Sequence, residues 1–347
     1  MIRKLSLLFA LALVIASGLR AQTQMQIYGV WHCYTDGCGW LSVPNMTTFD
    51  TDNHWLIDRG NGQPSVNLVI LSFVNPVDLM NSTTNSTTVH GIPIGMNSAV
   101  VDYFQSKGVR VMFSIGGIRF VKNWDKALSS NPTQLGINAA NMAKQFNVGM
   151  EIDYEKSSNP NLTGLQAFIT AYRSVIPYDS TGNNFAARLT IDLGNDDLYL
   201  QSLSAYATAH WLSTSTPVLD YANAMVASQK TTVSALETGW SQHVNGVTGV
   251  PALAPAKLTG SLWLIASQPN CATFNTSDQK AAANFVETIP PNGAGTTPGM
   301  LGFMFWAAGC QGQGTGCTFP PTTCEGGMGV ACTTFNIPIP MPPLRTQ

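Results

Sequence analysis

The chain has 347 residues, 44% of them hydrophobic and only 10% charged, with a formal net charge of -2. That length fits one large barrel of alternating strands and helices, which commonly reaches about 250 residues, or two smaller domains. The near-neutral balance gives no electrostatic basis for binding nucleic acid or an anionic membrane. A surface built largely from Ser, Thr, Asn and Gly suits an extracellular protein with a neutral partner such as a carbohydrate.

The chain opens with Met1-Ile-Arg-Lys, then an almost wholly apolar run from Leu5 to Gly18, then a small residue at Ala21. This is the pattern of a signal peptide over residues 1–21, and the apolar run is too short for a typical membrane span. The expected product is a soluble, secreted monomer, periplasmic if the source is a bacterium that retains it. Seven cysteines follow: Cys33, Cys38, Cys271, Cys310, Cys317, Cys324 and Cys332. Export makes disulfides the expected state, with Cys33 and Cys38 closing a short loop and one thiol left over. A zinc site is disfavoured, because the tail has no histidine and its cysteines are spaced by about seven residues. Sequons at Asn45, Asn81, Asn85, Asn161 and Asn275 carry glycans only in a eukaryotic secretory pathway.

Eight strands are predicted in order: Gln26 to Trp31, Val66 to Val74, Val109 to Ile115, Asn147 to Glu155, Arg188 to Leu193, Val218 to Val226, Ser261 to Ala266, and Leu301 to Trp306. The second is a nearly continuous apolar run of the kind buried on both faces. Helical patterns lie between them at Ser98 to Ser106, Asn138 to Phe146, Gly164 to Val175, Leu198 to Ala207, Thr232 to Trp240 and Asp278 to Glu287. Regular alternation indicates parallel strands with crossover helices, and eight strands favour a closed (β/α)8 barrel over an open sheet. The expected layout is a barrel over residues 22–309, followed by a Cys-, Gly- and Pro-rich tail over 310–347 packed on it. Residues 33 to 64 hold only a weak helical pattern, so an irregular first helix is expected, and nothing after Trp306 reads as an eighth helix.

The fourth strand carries the chemistry. Glu151, Asp153 and Glu155 alternate with Ile152 and Tyr154, and alternate residues of a strand share a face. Like charges this close raise one another's pKa, which favours one carboxyl holding a proton beside another that is ionised. In a (β/α) barrel the reactive groups stand at the C-terminal strand ends. Glu155 is therefore expected to meet substrate, with Asp153 and Glu151 deeper and tuning it. Asp192 ranks lower as a residue of the barrel mouth, while Asp196 and Asp197 suit the start of the next helix. The five histidines show no metal-ligand spacing, and no metal or cofactor is expected.

The run Val148-Gly149-Met150-Glu151-Ile152-Asp153-Tyr154-Glu155 resembles the Asp-Gly-x-Asp-x-Asp-x-Glu signature of glycoside hydrolase family 18, the chitinases and endo-β-N-acetylglucosaminidases. Ser114-Ile115-Gly116-Gly117 is similar to the family's Ser-x-Gly-Gly, and Trp306 to its last-strand tryptophan, over a resemblance that runs through most of residues 26 to 306. The resemblance implies that Glu155 protonates the glycosidic oxygen and that Asp153 orients the sugar's 2-acetamido group, whose oxygen is the nucleophile. That mechanism stands outside the two-carboxylate spacing rule. It also implies contacts to an N-acetylglucosamine-containing glycan from Trp306, Phe73, Tyr28 and Met225, with Ser114, Gly116, Gly117 and Gly149 as framework. Three departures stand out: Val148 and Glu151 each replace an aspartate, and Ala227 follows Met225-Val226 where the family usually places a tyrosine. Glu155 favours an enzyme cleaving β-1,4 linkages at N-acetylglucosamine. Ala227 favours the alternative, a carbohydrate-binding lectin on the same barrel.

Overall fold

The computed structural model describes residues 25–33, 39–58, 62–225, 230–263, 276–292, 298–306 and 341–344. Eight parallel strands close into a barrel: β1 (Ile27–His32), β2 (Leu68–Val74), β3 (Arg110–Gly116), β4 (Gly149–Asp153), β5 (Leu189–Leu193), β6 (Ala222–Ala224), β7 (Leu258–Trp263) and β8 (Gly302–Trp306). Each strand pairs with its sequence neighbours, and β1 closes the ring on β8 with Ile27 opposite Gly302 and Val30 opposite Phe305. The (β/α)8 expectation is met. The helices are α1 (Met46–Ile57), α2 (Pro76–Met80), α3 (Ser98–Gln105), α4 (Val121–Ser130), α5 (Pro132–Phe146), α6 (Leu162–Val175), α7 (Gln201–Ala207), α8 (Val233–Asn245) and α9 (Thr276–Thr288). No helix among the described residues is long and apolar enough to cross a membrane.

The first helix corrects the sequence reading. It is a regular helix of 12 residues, with Asn45 accepting hydrogen bonds from the backbone N–H groups of Thr47 and Thr48. Its Thr, Asp and Asn residues are weak helix formers. Burial of Phe49, Trp55 and Leu56 in the main core holds it instead. Asparagine is the recurrent cap of this chain: Asn75, Asn97, Asn131 and Asn161 also accept from the first turns of α2, α3, α5 and α6. The signal segment, the six cysteines other than Cys33, and any eighth helix lie outside the described residues.

Alternation divides each strand between two apolar clusters. Outward residues such as Val30, Val69, Phe113, Ile152 and Phe305 join the large core under the helices. Inward residues Ile27, Leu68, Ile70, Met112, Tyr221 and Met304 fill the lower barrel. Phe185, just before β5, and Met341 and Leu344 from the end of the chain complete that floor. Arg110 and Arg188 stack on Phe185 with guanidinium carbons 4.7 and 5.9 Å from its ring centre.

The glycines after β3 set the spacing at the barrel top. Gly116 has φ 121°, and a Cβ there would lie 2.0 Å from the Asp153 carbonyl oxygen and 2.3 Å from Trp124 Nε1. That oxygen accepts from Gly117 N at 3.0 Å and from Trp124 Nε1 at 2.9 Å. Gly116→Ala is expected to lower unfolding free energy by about 3 kcal/mol or more, from backbone strain plus steric conflict, as measured by urea denaturation.

Candidate active site

Above its apolar floor the barrel interior turns polar. Ser72, Ser114, Glu151, Asp153, Thr190, Asp192 and Asn223 are all buried there, on five adjacent strands from β2 to β6. Ser72 Oγ, Thr190 Oγ1, Asp153 Oδ1 and Asp192 Oδ1 have no hydrogen-bond partner among the described residues. Each such group costs about 1–3 kcal/mol, so their concentration in one chamber marks a site rather than a core.

Glu151 is the best-held carboxyl. Trp31 Nε1 donates to its Oε1 at 3.0 Å and Asn223 Nδ2 to its Oε2 at 2.6 Å, while Thr259 Oγ1 donates to Asn223 Oδ1 at 2.6 Å and fixes that amide. Burial raises its pKa, and its hydrogen-bond partners oppose the rise. Asp192, beside it, is pushed far above the ordinary carboxylate range by burial and then by the charges of Glu151 and Asp153. A proton on Asp192 donated to Glu151 raises Asp192 further and opposes the rise at Glu151. Asp153 is also pushed far up, first by burial and then by Glu155 and Glu151. Burial raises Glu155 to about 7, against a hydrogen bond from the Ile118 backbone N–H.

Glu155 lies two residues past the end of β4, so its position depends on what fixes the chain on either side. Helix α4 does this from the outer face of the barrel. Trp124 Nε1 bonds the carbonyls of Ile115 and Asp153. Asp125 accepts from both Tyr154 Oη and Lys156 Nζ, and Tyr154 Oη in turn accepts from Asn161 N at 3.1 Å. The residues flanking Glu155 thus point outward into a fixed carboxylate, which sends Glu155 inward.

An aromatic wall stands on three adjacent strands, β8, β1 and β2. Trp306 stacks on Phe73 with centroids 5.7 Å apart at 23°, and Trp31 meets Trp306 at 6.4 Å and 55°. Gly117 lies against Phe73, where a Cβ would come within 2.8 Å of the ring. Gly149 faces the interior, with Met112 Cγ and Arg188 Cβ 2.9 Å from where a Cβ would stand. Ser114 lies beside Glu151.

Several sequence expectations change. Tyr28 is not a substrate residue: it points outward, 1% exposed, against Phe303 and Phe305, and Trp31 holds the inward place on β1. Met225, just past β6, packs half-buried on the main core, and Asn223 is the β6 residue that reaches the carboxylates. Asp192 is inside the chamber rather than at its rim. Asp196 and Asp197 precede α7 by several residues: Asp196 bonds the loop amides of Leu198 and Tyr199, and Asp197 meets His243. Ala227 lies outside the described residues. Counting inward positions from Ile27 would have found Trp31; nothing local in sequence marks Trp124 or Asp125. No group of three or more His, Cys, Asp or Glu among the described residues is placed to hold a metal.

Comparison with known proteins agrees with this architecture. No family model and no curated protein sequence matches the chain. Its (β/α)8 barrel is similar to the folds of solved chitinases. A family 18 chitinase from Pseudoalteromonas aurantia superposes with a TM-score of 0.54 at 14% identity, over 81% of this chain and 94% of that one. A chitinase from Rhizomucor miehei gives 0.50 at 13% identity, over 80% and 94%.

Two outcomes are expected. Asp125→Ala frees Tyr154 and Lys156 together, and misplacement of Glu155 is expected to lower kcat about tenfold or more in steady-state assays with the melting temperature nearly kept. The folded state binds the Glu155 proton more tightly than the unfolded chain does, so this group stabilises below its ordinary value of 4.5, and that contribution is lost as pH rises through about 7. Glu155→Gln removes the dependence and is expected to be more stable than wild type at pH 8, by up to about 3 kcal/mol, and not at pH 4, by urea denaturation.

Proposed function

We propose that this protein is a secreted glycoside hydrolase that cleaves β-1,4 linkages at N-acetylglucosamine, in chitin, its oligomers or glycan cores. The observation that carries the reading is Glu155, a carboxyl at the end of β4 whose pKa of about 7 leaves much of it protonated near neutrality, next to the buried, proton-holding Asp153. The aromatic wall of Trp306, Phe73 and Trp31 on the facing strands supplies flat apolar surface for a pyranose ring.

In this mechanism the Glu155 O–H protonates the glycosidic oxygen as the bond to the anomeric carbon breaks. The carbonyl oxygen of the sugar's own 2-acetamido group attacks that carbon, and Asp153 holds the amide N–H. Ionised Glu155 then takes a proton from water, which opens the cyclic intermediate with net retention. Glu151 stays ionised under its two donors, and burial, then the charges of Glu155 and Glu151, favour a proton on Asp153. The sequence at Ala227, with no tyrosine after Met225-Val226, supports a second reading, a lectin that binds the same sugar without turnover.

Release of product from chitin oligosaccharides and from a high-mannose glycan, compared between wild type and Glu155→Gln, decides between them. The enzyme reading expects a loss of at least about a thousandfold in kcat for the variant, and a wild-type alkaline limb with an apparent pKa near 7. Equal release by both proteins sinks the mechanism. Binding without release by wild type establishes the lectin.

A further inference from the structure

The loop from Gly194 to Leu200, which leads from β5 to α7, is fixed from several directions. Asp196 Oδ1 accepts from the N–H groups of Leu198 at 3.0 Å and Tyr199 at 3.3 Å, and its Oδ2 lies 3.0 Å from Lys230 Nζ. Asp197 Oδ1 is 2.6 Å from His243 Nδ1, and His243 Nε2 is 2.7 Å from the Gly194 carbonyl oxygen, with both side chains buried. Gly194 leaves space for this turn: a Cβ would stand 2.7 Å from the Asp196 carbonyl oxygen and 3.1 Å from Tyr199 Cβ.

So rigid a loop nevertheless leaves Leu198 66% and Tyr199 44% exposed. All six exposed large hydrophobics among the described residues lie in segments running from a barrel strand to a following helix: Leu41 and Val43 between β1 and α1, Val89 between β2 and α3, Ile118 between β3 and α4, and Leu198 and Tyr199 between β5 and α7. Tyr199 is the aromatic member of that set. Partial burial first, and then the charges of Glu155 and Asp153, hold its hydroxyl protonated and available as a donor. Tyr199 Cβ packs beside Gly194, the first residue past β5, and in the ring β5 is three strands from β8, the strand that ends in Trp306.

We propose that Tyr199 is a substrate-positioning residue that closes the β5 side of the cleft opposite Trp306 and Phe73, its hydroxyl donating to a polar group of the sugar held beside Glu155. This rests on the glycosidase reading above. A tyrosine suits the task because it joins a flat apolar ring to one hydroxyl at low conformational-entropy cost. The hydroxyl selects a substrate bearing a hydrogen-bond acceptor near the cleaved bond, which an N-acetylated sugar offers as its amide carbonyl and hydroxyls.

The test uses the full chain with the tetramer of N-acetylglucosamine, measuring turnover and calorimetric binding for wild type, Tyr199→Phe and Tyr199→Ala. Because the side chain is exposed, all three are expected to melt alike. Tyr199→Phe, which keeps the ring, is expected to weaken kcat/KM and affinity about three- to tenfold. Tyr199→Ala is expected to weaken both further, by about ten- to a hundredfold. Unchanged binding and turnover in Tyr199→Phe, with wild type active, overturns the role of Tyr199 and leaves the hydrolase reading intact. If wild type binds the tetramer without cleaving it, the hydrolase reading fails, and weaker binding by Tyr199→Phe still upholds the contact. Neither binding nor cleavage by wild type overturns both.

Discussion

Four carboxyl groups share one buried chamber, and they cannot all be charged. Burial raises Glu151, Asp153, Asp192 and Glu155 alike, neighbouring carboxylates raise Asp153 and Asp192 further, and among the described residues only Glu151 of the four has side-chain N–H donors on both oxygens, from Trp31 and Asn223. The protons therefore settle on the others, and the chamber holds negative charge at its centre and transferable hydrogen at its mouth. The arrangement lowers stability, since an apolar filling of equal volume would avoid every one of these terms. Such a cost is retained where it serves a reaction.

The rest of the barrel separates that chamber from what would disturb it. Apolar residues from Ile27 to Met304 seal the lower half, so proton exchange is confined to the upper opening. Outside the ring, α4 grips the backbone and the outward side chains on either side of Glu155, using Trp124 for the carbonyls and Asp125 for Tyr154 and Lys156. The positioning force thus comes from the face away from substrate. That separates the demands: inner residues are chosen for proton affinity, outer ones for rigidity.

The strands were legible in the sequence because parallel strands buried on both faces read as short continuous apolar runs, and each of the eight falls within a few residues of its expected place. Helices α1 and α4 were less visible, since Thr47, Asp50, Asn53 and Asn123 give little helical preference and tertiary burial decides their state. Within the site, alternation along one strand identified Glu151, Asp153 and Glu155. Their partners Trp31, Asn223 and Asp192 come from strands separated by 120, 72 and 41 residues, and no local pattern links them. Tyr28 differs: its type fits a sugar site, but its parity along β1 turns it outward.

The seam between β1 and β8, and the floor completed by Met341 and Leu344, join the two ends of the described chain. Ile27 pairs with Gly302, so the ring cannot close until residue 302 has been made. Contacts of such long sequence separation form late and slowly. Until then β1 presents an unpaired edge and an uncovered apolar face, a period in which the chain is vulnerable to association. The topology that encloses the carboxyl chamber thus makes its assembly a terminal event in folding: Trp31, Asn223 and Glu151 meet only when the cylinder is nearly shut.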